Sequence, residues 1–320
     1  MNSRERFLAT ARYQSRDRLF HDEMGPYEET VLRWQREGLP ADSSWVYYGG
    51  YDRIEHAPLN PHLCPAFEYQ TLELTEEYEV YQDRDGVTKR KLRDVPPPAM
   101  PQYLEYPLQG REQWPAFRQR LNPESPSRFP VHWESIKRQY RHRDYPLGIN
   151  SGSLYGWLRN WMGVEGLSLT LYDDRAFVEQ AAAETADSLL AYLEKALDGV
   201  EYDFAVFWED MAYKTGSLID PALYKSIFGP HYRRITDRLR RAGIEIMLLD
   251  SDGNVEELIP IWLDLGINWI YPMEVAAGLE VLDLRRRFGR ELLIGGGMDK
   301  RVLAGPREGI RRMVEEKIPL

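Results

Sequence analysis

With 320 residues, 43% hydrophobic and 12% aromatic side chains, the chain can bury a large core, which excludes a disordered segment. A net charge of −10 and a pI near 5.3 leave no basic face for nucleic acid or anionic lipid, so small-molecule chemistry remains. The single cysteine, Cys64, excludes an internal disulfide and a Cys-x-x-Cys zinc clip, and fits a reducing cytoplasm. No apolar run approaches the ~20 residues that span a bilayer, and the charged N-terminus has no signal-peptide core.

In chain order, the opening "MNSRERFLATARYQSRDRLF" predicts an amphipathic helix capped by Asn2 or Ser3. "RLFHDE" and "SWVYYGG" are candidates for the first two strands. Residues 58 to 146 hold 13 of the 21 prolines, including "VPPPAMP", and form an insertion that decorates the main sheet or barrel. Within it, "EEYEVYQDRDGVTKRKL" predicts a hairpin turning at Asp85-Gly86, with acids on one arm and bases on the other arranged for cross-strand ion pairs. "PLGINSGS" is a further strand, and Asp174 opens a helix that runs to about Gly199.

From there a strand-helix rhythm sets in. "FAVFWED", "IEIMLLDSDG", "INWIYPME" and "ELLIGGGMD" are strands apolar on both faces, as parallel strands covered by helices are. Between them, a helix capped by Asp220 with Pro221 in its first turn runs to about Gly243, one capped by Asn254 ends near Gly266, and one from about Gly278 ends at Gly289. A last helix occupies about 303 to 316. That makes seven strands, so a closed eight-stranded barrel would need another segment, from the insertion or a neighbouring subunit, or the chain is a shortened form.

Parallel α/β folds do their chemistry at the carboxyl ends of the strands, and here those ends present Glu209, Asp210, Asp250, Asp252, Glu274 and Asp299. Carboxylates crowded into a half-dry mouth repel one another and hold protons near neutrality, which suits acid catalysis. The structural alternative is that Asp252 and Asn254 cap the next helix while Glu274 bonds loop amides. Tyr155 with Trp157 and Trp161 lines either a ligand mouth or the core. The "GGG" at 295 to 297 lacks G-x-G-x-x-G spacing, and the six histidines form no metal-spaced pair.

The segments "RERFLATARYQSRDRLF", "FWEDMAYKTGSLIDPALYKSIFGPHYRRITDRLRRAGIEIMLLDSDGNVEELIPIWLDLGINWIYPMEVAAG" and "IGGGMDKRVL" together resemble the uroporphyrinogen decarboxylase superfamily. The resemblance, strongest from about 200 to 316, implies a (β/α)8 barrel of TIM type that removes carboxyl groups from a tetrapyrrole's acetate arms with no metal or organic cofactor. The family's relatives include corrinoid-dependent methyltransferases. Three departures stand out. The family's arginine-rich Arg-Gln-x-Gly-Arg segment is replaced by "HDEMGPYEETVLRW", with only Arg33 and Arg36 nearby. Its Gly-x-Leu-Ser-Pro is echoed by Gly216, Leu218 and Pro221 with one residue added. The His-x-Cys zinc corner of the methyltransferases becomes Asp250-Ser251-Asp252, exchanging soft ligands for hard ones.

The resulting expectation is a single barrel domain acting as a carboxy-lyase on a tetrapyrrole-like or other small organic acid. Asp252 and Glu274 would hold and protonate the substrate, and Asp250 would tune them. Glu209, Asp210, Lys214, Tyr155, Asn254, Asp299 and Arg301 would complete the binding site, with Lys214 or Arg301 on a carboxylate. The alternatives are a methyltransferase working with a corrinoid protein partner and without thiolate zinc, and a non-catalytic ligand-binding barrel. A homodimer is a further expectation.

Overall fold

The computed structural model describes residues 1–42, 44–95 and 100–318. Its centre is a parallel sheet of six strands in chain order: β1 (Glu55–His56), β2 (Leu147–Asn150), β3 (Phe204–Trp208), β4 (Ile246–Asp250), β5 (Trp269–Met273) and β6 (Leu293–Gly296). Register aligns Gly148, Phe204 and Ile246 in one row, and Trp208, Asp250 and Tyr271 in another at the carboxyl end. Because side chains alternate across a strand, each row shares one face.

The two faces differ sharply. Ala205, Phe207, Met247, Leu249 and Ile270 point outward and are fully buried under the helices. Val206, Trp208, Leu248, Asp250, Trp269 and Tyr271 point inward and are only half-buried, so the inner face lines an open chamber. Its floor is closed by helix α1 (Ser3–Ala11). Phe7 of this helix packs against Phe20, Phe204 and Trp269 at centroid distances of 5.2, 5.3 and 5.7 Å. Asn2 caps α1 in a capping box with Glu5, as its sequence suggests.

The outer helices follow the sequence with three adjustments. Helix α2 (Tyr155–Met162) follows β2, and α3 (Arg175–Ala196) starts at its Asp174 cap. The helix expected over 220 to 243 is split into α4 (Pro221–Ile227) and α5 (Gly229–Arg241), because Pro230 has no N–H to continue the ladder. Helix α6 (Ile259–Leu265) begins well after Asn254, at a first turn set by Pro260. Helix α7 (Val281–Phe288) begins at a Glu280 cap rather than at Gly278, and α8 (Arg307–Lys317) follows.

At the N-terminal side two strand assignments fail. "SWVYYGG" holds a short helix, Trp45–Tyr48, whose Ser44 and Trp45 carbonyls accept from Tyr48 and Gly49 amides. "RLFHDE" forms no strand, and the Asp52 amide donates to its His21 carbonyl. Among the described residues the central sheet thus has six strands rather than seven, with β1 and β6 as edges.

The insertion is a four-stranded antiparallel sheet of Gln70–Leu74, Tyr78–Gln82, Thr88–Leu92 and Gln102–Glu105. Its central hairpin turns through Asp83 to Gly86 and carries the expected cross-strand ion pairs, Lys89–Asp83 at 2.6 Å and Lys91–Glu79 at 2.9 Å. The proline run at 96–99 lies outside the described residues. Among the described residues no helix is long and apolar enough to cross a membrane.

Candidate functional site

The carboxyl ends of β3, β4 and β5 are laced together by backbone hydrogen bonds. The amides of Glu209 and Asp210 donate to the Asp250 carbonyl at 2.9 and 3.4 Å, and the Ser251 amide donates to the Tyr271 carbonyl at 2.8 Å. Ser251 Oγ accepts from the Met211 amide at 3.0 Å. Gly253 at φ +87° passes so close to Ala212 that a Cβ would lie 2.5 Å from its carbonyl oxygen. Asp210 itself sits at φ +43°, a left-handed backbone that costs a non-glycine residue about 1 kcal/mol or more. Strain of this kind at a strand end makes Asp210 a candidate position for function.

The acids divide by what their oxygens already hold. Glu209 is fully buried and points away from the chamber; its carboxyl accepts from the Leu154 amide at 2.9 Å, the Gly156 amide at 2.6 Å and the Tyr232 hydroxyl. Burial pushes its pKa up, against these three donors. Asp210 receives Arg159, with Nη1 3.3 Å from Oδ2. Glu274 accepts from the Gly253 amide at 3.2 Å and from Lys300 Nζ at 3.4 Å. Asp299 caps the short helix Lys300–Leu303 and is held to about pKa 2 by its hydrogen bond to Arg301.

Asp250 and Asp252 differ from all of these. Among the described residues neither side chain accepts a hydrogen bond, and both face the chamber mouth two residues apart at the end of β4. Burial raises the Asp250 carboxyl from the ordinary 3.8 to about 7, with repulsion from Asp252 and Asp210 adding to it. Asp252 is raised too, first by burial and then by Asp210 and Glu274, while Lys300 opposes. Tyr271, beside Asp250 in the register, is raised to about 12 by burial, with Glu23, Asp250 and Asp22 contributing. Asp22 touches solvent yet is desolvated by the protein around it, and with Glu23 nearby it rises to about 6. The mouth is thus acidic on both sides, and it holds protons near neutral pH.

The structure therefore gathers Asp210, Asp250, Asp252 and Glu274 at one mouth and distributes the other candidates elsewhere. Tyr155 is buried in the core, edge-on to Phe228 at 5.8 Å, and Trp157 and Trp161 are buried with it. Lys214 is exposed on the turn between Ala212–Tyr213 and Gly216–Ser217. Asn254 braces its loop, receiving the Glu256 amide and donating to the Ala277 carbonyl, both at 3.2 Å. Arg301 is exposed and committed to Asp299. Sequence reasoning missed Trp208, Tyr271, Arg159, Lys300, Asp22 and Glu23. Period-two alternation from Asp250 and its strand neighbours could have found the first two.

The glycines at 295 to 297 serve packing. A Cβ on Gly295 would lie 2.8 Å from Trp269 Nε1 and 2.9 Å from the Tyr271 ring. No thiolate zinc site fits the corner: Ser251 stands between the two aspartates, and Cys64, the chain's only cysteine, is buried in the insertion beside Asn60. Among the described residues no three His, Cys, Asp or Glu side chains group to hold a metal ion.

Comparison with known proteins bears on the family and the fold. No curated protein is matched by the sequence. Among solved structures, a methyltransferase from Methanosarcina mazei superposes with a TM-score of 0.61 at 12% identity, covering 100% of this chain and 90% of that one. At that identity the likeness shows the fold alone. Residues 95–319 match the family of uroporphyrinogen decarboxylase (URO-D), a span that contains β2 to β6 and the whole acidic end of β4. The chain belongs to the uroporphyrinogen decarboxylase (URO-D) family.

Proposed function

We propose that the chain is an enzyme that performs proton transfer on a small organic substrate in the chamber mouth, in the form of a carboxy-lyase. The observation that carries this reading is the Asp250–Asp252 pair, two carboxyls with no hydrogen-bond donor among the described residues, one of which titrates near pH 7. When a carboxylate leaves as carbon dioxide, the electron pair of the broken C–C bond stays on the substrate carbon. A protonated Asp250 delivers the proton that carbon takes up and becomes a carboxylate. Asp252, open to solvent, supplies the replacement proton, and Trp208 and Tyr271 form the apolar walls. The sheet is read as part of the family's (β/α)8 barrel, with residues 18–23, tied to Asp52 through the His21 carbonyl, beside β1.

A second reading is methyl transfer with a corrinoid protein as partner, favoured by the full-length fold likeness to a methyltransferase. There the same proton would go to the heteroatom that loses its methyl group. Incubating the protein with candidate organic acids, and separately with methyl donors plus a corrinoid protein, separates the two. Carbon dioxide released in stoichiometry with protonated product supports the lyase, and a methylated corrinoid supports the transferase. Turnover undiminished in Asp250→Asn would remove proton transfer by Asp250 from either.

A further inference from the structure

The hydrogen bonds at the end of β3 converge on the Asp250–Ser251 step. Three successive amides, those of Glu209, Asp210 and Met211, donate to the Asp250 carbonyl at 2.9 and 3.4 Å and to Ser251 Oγ at 3.0 Å. The left-handed Asp210 in the middle, at φ +43°, turns these N–H groups toward one side, as concavities built from backbone amides do. The end of β3 therefore grips the end of β4 through its backbone.

Behind this grip lies a carboxyl that proton transfer does not use. Glu209 is fully buried, and its two oxygens hold the start of α2 through the Leu154 and Gly156 amides, and α5 through the Tyr232 hydroxyl. Helix α2 runs so close that a Cβ on Gly156 would lie 2.6 Å from the Glu209 carbonyl oxygen. Tyr232 is itself fully buried, edge-on to Phe207 at 5.4 Å, and Tyr224 beside it receives Trp262 Nε1 at 3.2 Å. Desolvating a carboxyl costs stability that an apolar side chain in this aromatic shell would keep. A fully hydrogen-bonded polar group instead makes its surroundings rigid and specifies one geometry.

We propose that Glu209 is a positioning residue for Asp250: its side chain locks the end of β3 to α2 and α5, and the backbone of residues 209 to 211 passes that lock to the placement of the Asp250 carboxyl in the chamber mouth. This deepens the proton-transfer reading and rests on it. Asp250 faces Asp252 on its own strand end, Asp210 on β3 and Tyr271 on β5, with Arg159 of α2 standing on Asp210. Burial is the largest cause that holds its proton, so where the carboxyl sits decides how tightly the proton is held. Loosening the grip admits water beside Asp250 and releases the proton at lower pH.

The test follows the Asp250 carboxyl C=O band by infrared difference spectroscopy from pH 5 to 9, referenced to Asp250→Asn, in the parent, Glu209→Gln, Tyr232→Phe and Leu193→Ala. Glutamine keeps the shape but turns an NH2 group toward a backbone amide, and phenylalanine removes one donor of the three. Leu193 is a buried residue of α3 outside this hydrogen-bonded cluster, so its truncation controls for lost stability alone. Glu209→Gln should lower the midpoint by about one pH unit or more, a tenfold weaker hold on the proton, Tyr232→Phe by about 0.5 unit, and Leu193→Ala by less than about 0.2 unit. Should Glu209→Gln not fold, Tyr232→Phe decides. Midpoints unchanged or raised in the folded variants, or an equal fall in Leu193→Ala, would overturn the positioning role and leave Asp250 as the proton donor. A parent with no band titrating near pH 7 would overturn the proton-transfer reading, and this inference with it.

Discussion

Replacing Asp250 by asparagine should make the protein more stable at alkaline pH while it disables the site. The carboxyl rises from 3.8 to about 7 because burial and the neighbouring Asp252 and Asp210 disfavour its charge. The folded protein therefore binds this proton more tightly than the unfolded chain does. Its contribution to stability is full below about pH 4, declines as pH rises toward 7, and is gone above that. Three decades of proton affinity correspond to about 4 kcal/mol, and because Asp250 keeps contact with solvent we discount this to about 2 kcal/mol. Asparagine is neutral at every pH and escapes the penalty. Urea denaturation of parent and Asp250→Asn from pH 4 to 8.5 should give equal stabilities at pH 4 and an advantage of about 2 kcal/mol to the variant at pH 8.5. Residual pH dependence in the variant is expected from Asp22, which rises to about 6. Parallel stability profiles across the range would refute the assigned environment of Asp250.

Other perturbations test the scaffold. Glu209→Ala strands two buried amides and the Tyr232 hydroxyl and should cost about 3 to 9 kcal/mol in chemical denaturation, at about 1 to 3 for each lost partner. Phe7→Ala removes the plug of the chamber floor and should cost about 3 to 5 kcal/mol, a loss of less than about 1 kcal/mol showing that α1 does not close the sheet. Gly295→Val forces a side chain into Trp269 and Tyr271 and should cost about 1 to 3 kcal/mol with a change in tryptophan fluorescence. Lys91→Ala in the insertion hairpin should change thermal stability by less than about 1 kcal/mol, since its pair with Glu79 is open to solvent.

Much of this architecture was legible in the sequence where local chemistry decides. The caps at Asn2, Asp174 and Asp220, the charged hairpin about Asp85-Gly86, and the apolar strands from β3 to β6 all follow from turn chemistry, capping and burial on both faces. The first strands were not legible, because β1 has two residues and the aromatic run at 45–48 satisfies its own carbonyls as a helix. The end of β4 stood out as two acids closing an apolar strand. What set Asp250 and Asp252 apart from Glu209 and Asp299 was invisible, since it depends on which donors lie nearby in space. Arg159 lies 51 residues before Asp210 and carried no signal that linked the two.

The most direct test is infrared difference spectroscopy of the carboxyl C=O band as pH is raised from 5 to 9, in the parent and in Asp250→Asn. A protonated-carboxyl band that disappears with a midpoint near pH 7, and is missing from the variant, is the expected result. A spectrum identical in the two proteins, with every carboxyl of the mouth already ionised at pH 5, would contradict Asp250 as the proton donor.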